Sequence, residues 1–207
     1  MLFDRPGIAG SVVEWQDLGD TKLPADKRKP FEKEGLRIKV EAAGDTVPGV
    51  YGFRILTRGS LSALAHLLVV GGESVNEVEP NNSEKEAQTV KAGVTVNGRL
   101  DGDADLDLYR LEAKAGDRIA FLVYAARLQR PVPQLEHDFS DIVISLHDAK
   151  GAELAAADDS VTEDPELSYS FKHAGTYYLR LREARYHSGK DKWWYALSVS
   201  SEAVIRS

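Results

Sequence analysis

The stretch Thr176-Tyr177-Tyr178-Leu179-Arg180-Leu181-Arg182-Glu183 decides the fold. Its odd-numbered positions from 177 to 181 are tyrosine or leucine, and its even-numbered positions from 178 to 182 are tyrosine or arginine. Because successive side chains of a β-strand point to opposite faces, this alternation predicts a strand with one buried and one exposed face.

The same alternation recurs along the second half of the chain, between turns rich in Gly and Asp. Seven or eight strands without a long helical pattern between them predict an antiparallel sandwich or jelly roll rather than a parallel sheet. The stretches are Val94–Leu100, Leu106–Ala113, Arg118–Leu128, Asp141–His147, Leu167–Phe171, Thr176–Glu183 and Trp193–Ser200.

The first part of the chain also consists of strand patterns, and the pair Gly71-Gly72 marks a domain boundary. We therefore predict two antiparallel β-sandwich domains, 1–71 and 72–207, the first with about five strands and lacking an edge strand. The predicted strands of the first domain are Gly10–Trp15, Leu36–Ala42, Val50–Leu56 and Leu67–Val70, with a long charged loop from Asp17 to Lys33.

Composition excludes several classes of function. The formal net charge is -7 and no basic block occurs, so neither nucleic acid nor an anionic membrane is expected as a partner. The absence of cysteine excludes disulfides and thiolate metal sites. The beginning of the sequence lacks a signal-peptide pattern and no apolar run could span a membrane, which predicts a cytosolic protein or an excised piece, and we expect a monomer.

The histidines do not indicate catalysis. None has the spacing of a zinc motif, and no G-x-S-x-G elbow is present. His137-Asp138 with Ser140 is the nearest approach to a triad fragment, but a triad is assembled in space rather than in sequence. We therefore predict that the chain is not an enzyme.

The acidic stretch Glu77-Val78-Glu79-Pro80-Asn81-Asn82-Ser83 is the candidate cation site. If residues 77–79 are extended, both glutamates lie on one side, and the two asparagines suit a turn that brings amide oxygens to the same place. Such oxygens suit a hard cation. The alternative is a solvated acidic linker between domains.

Two other acidic groups are weighed against this one. Asp101, Asp103, Asp105 and Glu112 fit four positions of an EF-hand loop, but Leu106 stands where the sharp turn needs glycine, so we reject an EF-hand. Asp158-Asp159 indicates turn chemistry, with a second ion site as the alternative.

Residues 73–200 resemble the bacterial pre-peptidase C-terminal domain, a module that follows the catalytic domain of many secreted peptidases. Residues 1–71, with Val47–Tyr51 and Gly59-Ser60, look like the immunoglobulin-like segment that precedes this module in planctomycete-type secreted proteins. The ordered pieces that carry the first resemblance are Glu77–Asn82, Ala87-Gln88, Val96–Gly98, Asp105–Tyr109, Ala115–Asp117, Asp158–Ser160 and Gly175–Arg180.

The resemblance implies a jelly-roll-like β-sandwich, export, and an accessory role; similar modules include the collagen-binding domains of clostridial collagenases, which hold calcium at the interdomain linker. By the same resemblance, calcium is the expected cofactor. The implied metal ligands are Glu77, Glu79, Asn81, Asn82, Asp105 and Asp107, with Asp103 as a further candidate.

The last two predicted strands, taken as one hairpin, suggest a binding surface of aromatic and arginine side chains, which are common at binding hot spots. The alternative is an ordinary sheet face on which arginine stems cover tyrosine. The candidate residues are Tyr178, Arg180, Arg182, Tyr186 and Trp194.

The sequence therefore predicts a non-catalytic accessory module of a secreted, cell-surface or periplasmic multidomain protein. Its expected partners are a protein or polysaccharide polymer and the catalytic domain of the parent chain. The alternative function is a purely architectural spacer, with no ligand of its own, between domains.

Overall fold

The computed structural model describes residues 1–17, 34–100, 104–129, 140–160, 163–184 and 193–201. The chain divides into two compact units, Met1–Val69 and Val70–Ser207. This division lies beside the Gly71-Gly72 pair at which the sequence placed the boundary. Almost all of the regular structure is β, and the described part of the chain contains no helix whose length and apolar character would let it cross a membrane.

The first unit has one three-stranded sheet, ordered β1-β4-β5, and one two-stranded sheet formed by β2 and β3. Tyr51 is buried in this unit. The Arg5 guanidinium lies 4.0 Å from the Tyr51 ring centroid, and the Tyr51 hydroxyl donates to the Val47 carbonyl at 2.8 Å. The predicted loop residues 18–33 lie outside the described residues, and an immunoglobulin-like character stays a prediction. The strands are β1 (Leu2–Phe3), β2 (Ile8–Asp17), β3 (Glu34–Ala42), β4 (Gly49–Arg54) and β5 (Ala65–Val69).

The second unit carries ten strands and one short helix. Sheet A has the order β13-β10-β15-β8-β6, and sheet B has the order β12-β11-β14-β9-β7. The elements are β6 (Glu73–Asn76), β7 (Gln88–Thr89), β8 (Val94–Leu100), β9 (Leu106–Ala113), β10 (Arg118–Tyr124), α1 (Ala126–Gln129), β11 (Ile142–Asp148), β12 (Glu153–Ala157), β13 (Glu166–Ser170), β14 (Gly175–Glu183) and β15 (Trp193–Ser200).

The β-sandwich prediction is confirmed, and the inward side chains of both sheets form one core. Tyr177, Leu179 and Leu181 of β14 are buried, as their alternation predicted. Each such large apolar side chain contributes about 1.5–3 kcal/mol when fully buried. The aromatic rings add edge contacts, with the Phe171 centroid 4.5 Å from that of Tyr177.

Three details differ from the sequence-based prediction. The pattern Arg118–Leu128 holds a strand only to Tyr124 and then turns into α1. The alanine-rich stretch before Asp158-Asp159 is the edge strand β12, whose small side chains gave no clear alternation. The sheets are also not purely antiparallel, because β6 pairs with β8 and β7 pairs with β9 in parallel.

The parallel pairs follow from the path of the chain. It runs through β6 in sheet A, β7 in sheet B, β8 in sheet A and β9 in sheet B. Parallel neighbours need a crossover connection, and here the segment that joins each pair passes through the other sheet. Residues 77–87, here called the crossover segment, therefore join the edge strands of the two sheets.

The sequence patterns also did not indicate the Asp164 clamp, which we define as Asp164 with Ala125, Ala126 and Arg127. The fully buried Asp164 carboxylate accepts hydrogen bonds from the backbone amides of Ala125 at 3.0 Å and Ala126 at 2.7 Å. Its other oxygen accepts from Arg127 through the backbone amide at 3.3 Å and Nε at 2.5 Å. This carboxylate fixes the start of α1.

Candidate cation site in the second unit

Three carboxylates of the second unit converge at the beginning of the crossover segment. Glu77, Glu79 and Asp107 each offer an oxygen, and these oxygens lie within 4.8 Å of one another. We call Glu77, Glu79 and Asp107 the acidic trio. Glu77 and Glu79 follow β6, and Asp107 lies on β9 of the other sheet. The trio thus draws on both sheets.

Backbone contacts place the two glutamates. The Glu77 amide donates to the Asn97 carbonyl at 2.9 Å, which extends the pairing with β8 one residue past β6. Val78 then points outward and is 64% exposed, so Glu77 and Glu79 lie on the other side of the chain. The predicted alternation is present, although residues 77–79 do not form a strand.

Two buried phenols line the trio. The Tyr195 hydroxyl lies 2.5 Å from Asp107 Oδ2 and 3.0 Å from Glu77 Oε2, and its one proton serves one of them at a time. The Tyr109 hydroxyl is hydrogen-bonded to the Tyr195 hydroxyl and lies 3.5 Å from Glu77 Oε2. Two hydroxyl protons therefore face several carboxylate lone pairs.

Gly98 makes room for this arrangement. A Cβ atom at Gly98 would collide with the Tyr195 phenol and would lie 2.5 Å from Glu77 Oε2. Any side chain at position 98 would therefore displace the Tyr195 ring, the Glu77 carboxylate or both.

Two buried side chains at the site have polar atoms without a hydrogen-bond partner among the described residues. Asn81 is fully buried, and both its Oδ1 and its Nδ2 lack a partner. Asp107 is also fully buried, and its Oδ1 lacks a partner. The Asn81 backbone lies close to the trio. Its amide donates to Glu79 Oε2 at 2.9 Å, and its carbonyl accepts from the amide of Leu108, the residue after Asp107, at 3.0 Å. Buried polar atoms are normally satisfied, so these oxygens suit a ligand.

The electrostatics of the site are those of crowded acids. Burial raises the pKa of Asp107 to about 8, although the Tyr195 hydrogen bond opposes the shift, and the charges of Glu77 and Asp105 add to it. Burial likewise raises the pKa of Glu77, against its hydrogen bonds from Tyr195 and the Arg99 backbone amide. Burial therefore favours the protonated form of both carboxyls as long as no cation is bound.

Asp105 is not part of the trio, and the roles predicted for Asn82 and Asp103 stay predictions. Asp105 is half-buried, and its Oδ1 accepts from the Leu106 amide at 2.9 Å, so it acts on the trio through its charge. Asn82 is exposed. Asp103 lies outside the described residues. The rejected EF-hand stretch after Asp105 forms strand β9.

The proposed aromatic and arginine surface is divided by the fold. Tyr178, Arg180 and Arg182 are half-buried on the outer face of β14 in sheet B, whereas Trp194 lies on β15 in sheet A and is 57% exposed. The sequence treated β14 and β15 as one hairpin, and this was wrong because the two strands lie in different sheets. Tyr186 lies outside the described residues.

The individual contacts of this surface weaken the case for a hot spot on sheet B. Arg180 Nη2 lies 3.8 Å from Glu84 Oε1, and Arg182 Nη1 donates to the Glu183 carbonyl at 3.1 Å. On sheet A, the Arg99 guanidinium lies 5.4 Å from the Trp194 ring centroid. Trp194 is thus the most exposed aromatic side chain of the set among the described residues.

The comparisons with known proteins give likenesses of structure. No protein-family model and no curated protein matches the chain. The chain is similar to the pre-peptidase C-terminal domain of collagenase from Bacillus anthracis, with a TM-score of 0.43 and 21% identity, over 58% of this chain and 100% of that chain.

It is also similar to PliG from Aeromonas hydrophila, a periplasmic lysozyme inhibitor of g-type lysozyme, with a TM-score of 0.36 and 14% identity, over 62% of this chain and 95% of that chain. A mutant of the corresponding inhibitor from Escherichia coli has a TM-score of 0.31 and 14% identity, over 63% of this chain and 98% of that chain.

Proposed function

We propose that the second unit is a calcium-binding, non-catalytic accessory module of a secreted multidomain protein. The observation that carries this proposal is the convergence of Glu77, Glu79 and Asp107, together with the buried Asp107 Oδ1 that has no partner among the described residues. The fully buried Asn81, whose backbone amide donates to Glu79, also has an unpartnered side-chain oxygen. A cation would suit these oxygens, because carboxylate and amide oxygens are the usual ligands of a hard cation.

The donor set fits calcium. Calcium takes about six to eight oxygens from carboxylates, amide carbonyls and water, in flexible geometry. Glu77, Glu79 and Asp107 would hold the ion, and Asn81 Oδ1 would be a fourth ligand. The site offers no thiolate or histidine that would favour zinc.

The ion would have a structural effect at this place. Glu77 and Glu79 belong to the crossover segment and Asp107 belongs to β9, so a shared cation would fasten that segment to sheet B. It would also remove the repulsion among the carboxylates. Fastening of this kind is a stabilising rather than a catalytic role.

Calorimetric titration of chelator-treated protein with calcium tests the proposal. We expect saturable binding of one calcium ion in the second unit, and loss of that binding in Glu79→Gln. Glu84→Gln is the matched control, since it makes the same change of charge in the crossover segment on a carboxylate outside the trio. No binding heat in the unmodified protein, or equal loss in both variants, would contradict the proposal.

The accessory role that we propose includes retention on a polymer, either a protein such as collagen or a polysaccharide. Because Tyr178 and Trp194 lie on different sheets, their roles can be tested separately. We expect Trp194→Ala to abolish retention on an immobilised polymer at unchanged melting temperature, with Tyr178→Ala as the comparison. Retention on none of the polymers would favour an architectural spacer instead.

The proposed setting is outside the cytoplasm, at the cell surface or in the periplasm, next to a catalytic domain of the parent chain. It is supported by the ordered motifs that resemble pre-peptidase C-terminal domains. Calcium sites of extracellular modules have dissociation constants of about 10⁻⁴–10⁻³ M, and the titration should return a value in that range. A dissociation constant near 10⁻⁸ M would instead indicate a cytosolic calcium buffer.

A further inference from the structure

Strand β12 is an edge strand of sheet B, and its pairing with β11 has one irregularity, between Leu146 and His147. Among the described residues, its backbone hydrogen-bonds to β11 and to no other strand. Its sequence, Glu153-Leu154-Ala155-Ala156-Ala157, has no lysine or proline. Natural proteins usually guard an open edge with such residues, with shortness, or with a covering segment, because unpaired backbone groups recruit other strands.

The other three edges of the sandwich have such protection. β7 is two residues long. At β6, the Gln88 side chain donates to the Asn76 carbonyl at 3.1 Å and accepts from the Val78 amide at 2.8 Å. At β13, the Glu166 carbonyl accepts from the Ser160 hydroxyl at 3.3 Å. Among the described residues, β12 has none of these three features.

The charge at the two ends of β12 indicates the chemistry of a partner. Asp158 and Asp159 follow the strand directly, and one oxygen of each lies within 4.8 Å of the other and of an oxygen of Asp141. At the opposite end, Glu153 is 59% exposed. An extended chain that lies along this edge would meet negative charge at both ends, so basic side chains are favoured.

The same charges disfavour a second copy of this chain as the occupant. If two copies paired antiparallel through β12, Glu153 of one would lie beside Asp158 of the other. Like charges directly opposite each other in a sheet are destabilising.

We propose that β12 accepts an extended, basic segment of a partner polypeptide as an additional antiparallel strand, with arginine or lysine at the N-terminal end of that segment bound by Asp141, Asp158 and Asp159. The antiparallel direction follows from placing the cationic end beside the C-terminal end of β12. Backbone hydrogen bonds would supply affinity, and the carboxylates would fix direction and register. This site is separate from the acidic trio.

Fluorescence anisotropy with short labelled peptides tests the proposal, on the full chain with calcium held constant. The probe is Arg-Arg-Val-Thr-Val-Thr-Val. A second peptide carries the two arginines at its other end, and a third replaces both threonines by proline, which keeps the charge but removes backbone donors. We expect each change to weaken binding by about tenfold or more.

Protein variants locate the binding. Asp158→Asn with Asp159→Asn should weaken binding of the first probe by about tenfold, and the control pair Glu84→Gln with Glu112→Gln should not. In hydrogen exchange, the probe should slow the amides of Leu154–Ala157. Equal binding of the proline peptide, or no binding of any probe, would overturn the proposal.

Two further outcomes would also overturn it. Dimerisation that protects β12 without any probe would assign the edge to a second copy. A calcium-binding event that disappears in the Asp158→Asn, Asp159→Asn variant would assign the three aspartates to a second cation site instead.

Discussion

Asp107 and Asp164 are both fully buried aspartates of the same sandwich, but their surroundings are opposite. The Asp164 carboxylate accepts three backbone amides and the Arg127 guanidinium, so the chain itself neutralises and satisfies it. The Asp107 carboxylate has one phenol, carboxylate neighbours and an oxygen without a partner among the described residues.

The difference shows which buried carboxylate finds its hydrogen-bond and charge partners within the chain. A buried charge is tolerated when it is paired and hydrogen-bonded, as at the Asp164 clamp. At Asp107 no described residue forms an ion pair of this kind, and a bound cation would be the positive partner. The same residue type is thus structural at one place and a candidate ligand at the other.

The largest effect is expected at the Asp164 clamp. Asp164→Ala leaves Arg127 Nε and three backbone amides without their acceptor, and should lower the free energy of unfolding by about 3–5 kcal/mol. The loss should be the same in calcium and in chelator, as measured by denaturant unfolding. Asp45→Ala, in an exposed turn, is the control and should stay within about 0.5 kcal/mol.

Asp107→Asn should behave differently. In chelator it removes an acid that burial disfavours, so the free energy of unfolding should change by only about 1 kcal/mol. In calcium at a hundredfold excess over the dissociation constant, the unmodified protein should gain about 2.7 kcal/mol, and the variant should gain little of it. Thermal unfolding with and without calcium measures this; a variant that gained the full increment would contradict the account.

Gly98→Ala tests the packing behind the trio. The added Cβ would collide with the Tyr195 phenol and press on Glu77, and overpacking of this kind should lower the free energy of unfolding by about 2 kcal/mol. Because Glu77 is displaced, calcium affinity should fall as well. Gly44→Ala is the control, since a Cβ there meets no atom within 4 Å. Unchanged stability in Gly98→Ala would show that the Tyr195 ring can move aside without a loss of packing energy.

The smallest effect is a pH dependence of the metal-free protein. Burial raises the pKa of Asp107 from the ordinary 3.8 to about 8 and raises that of Glu77. A carboxyl with a raised pKa stabilises the fold fully below its unfolded pKa, and that contribution is lost as the pH rises through the folded pKa. In chelator the free energy of unfolding should therefore fall as the pH rises from 5 to 8.

Calcium should reverse this trend, because it binds the ionised carboxylates and displaces their protons. Urea unfolding at both pH values, with and without calcium, gives the comparison. Asp107→Asn should flatten the curve in chelator. A metal-free protein that became more stable toward pH 8 would show that the trio is better solvated than its burial implies.

Much of the fold was accessible from the sequence, because period-2 alternation is a local signal. The bounds of β8, β9 and β15 agree with the predicted stretches. The alternation failed at β12, where alanine on both faces carries no contrast. It also could not assign strands to sheets, and for that reason β14 and β15 were taken as one hairpin.

The candidate site was predictable only in part. Glu77, Glu79 and Asp107 were named from the acidic stretch and the family resemblance, and the fold brings them together. Tyr195 and Gly98 were missed, since a phenol on β15 and a glycine on β8 reach Glu77 only through sheet pairing. The sequence also did not indicate that the Asp105 side chain would accept a hydrogen bond from the neighbouring Leu106 amide.

Terbium luminescence tests the central claim most directly. Terbium substitutes for calcium, and tyrosine excitation sensitises its emission when the ion lies close by, as Tyr109 and Tyr195 would be if the trio binds it. We predict strong sensitised emission that calcium displaces, that Asp107→Asn abolishes, and that the charge-matched control Glu84→Gln leaves intact. Absence of emission, or emission that is unchanged in Asp107→Asn, would contradict a cation site at the acidic trio.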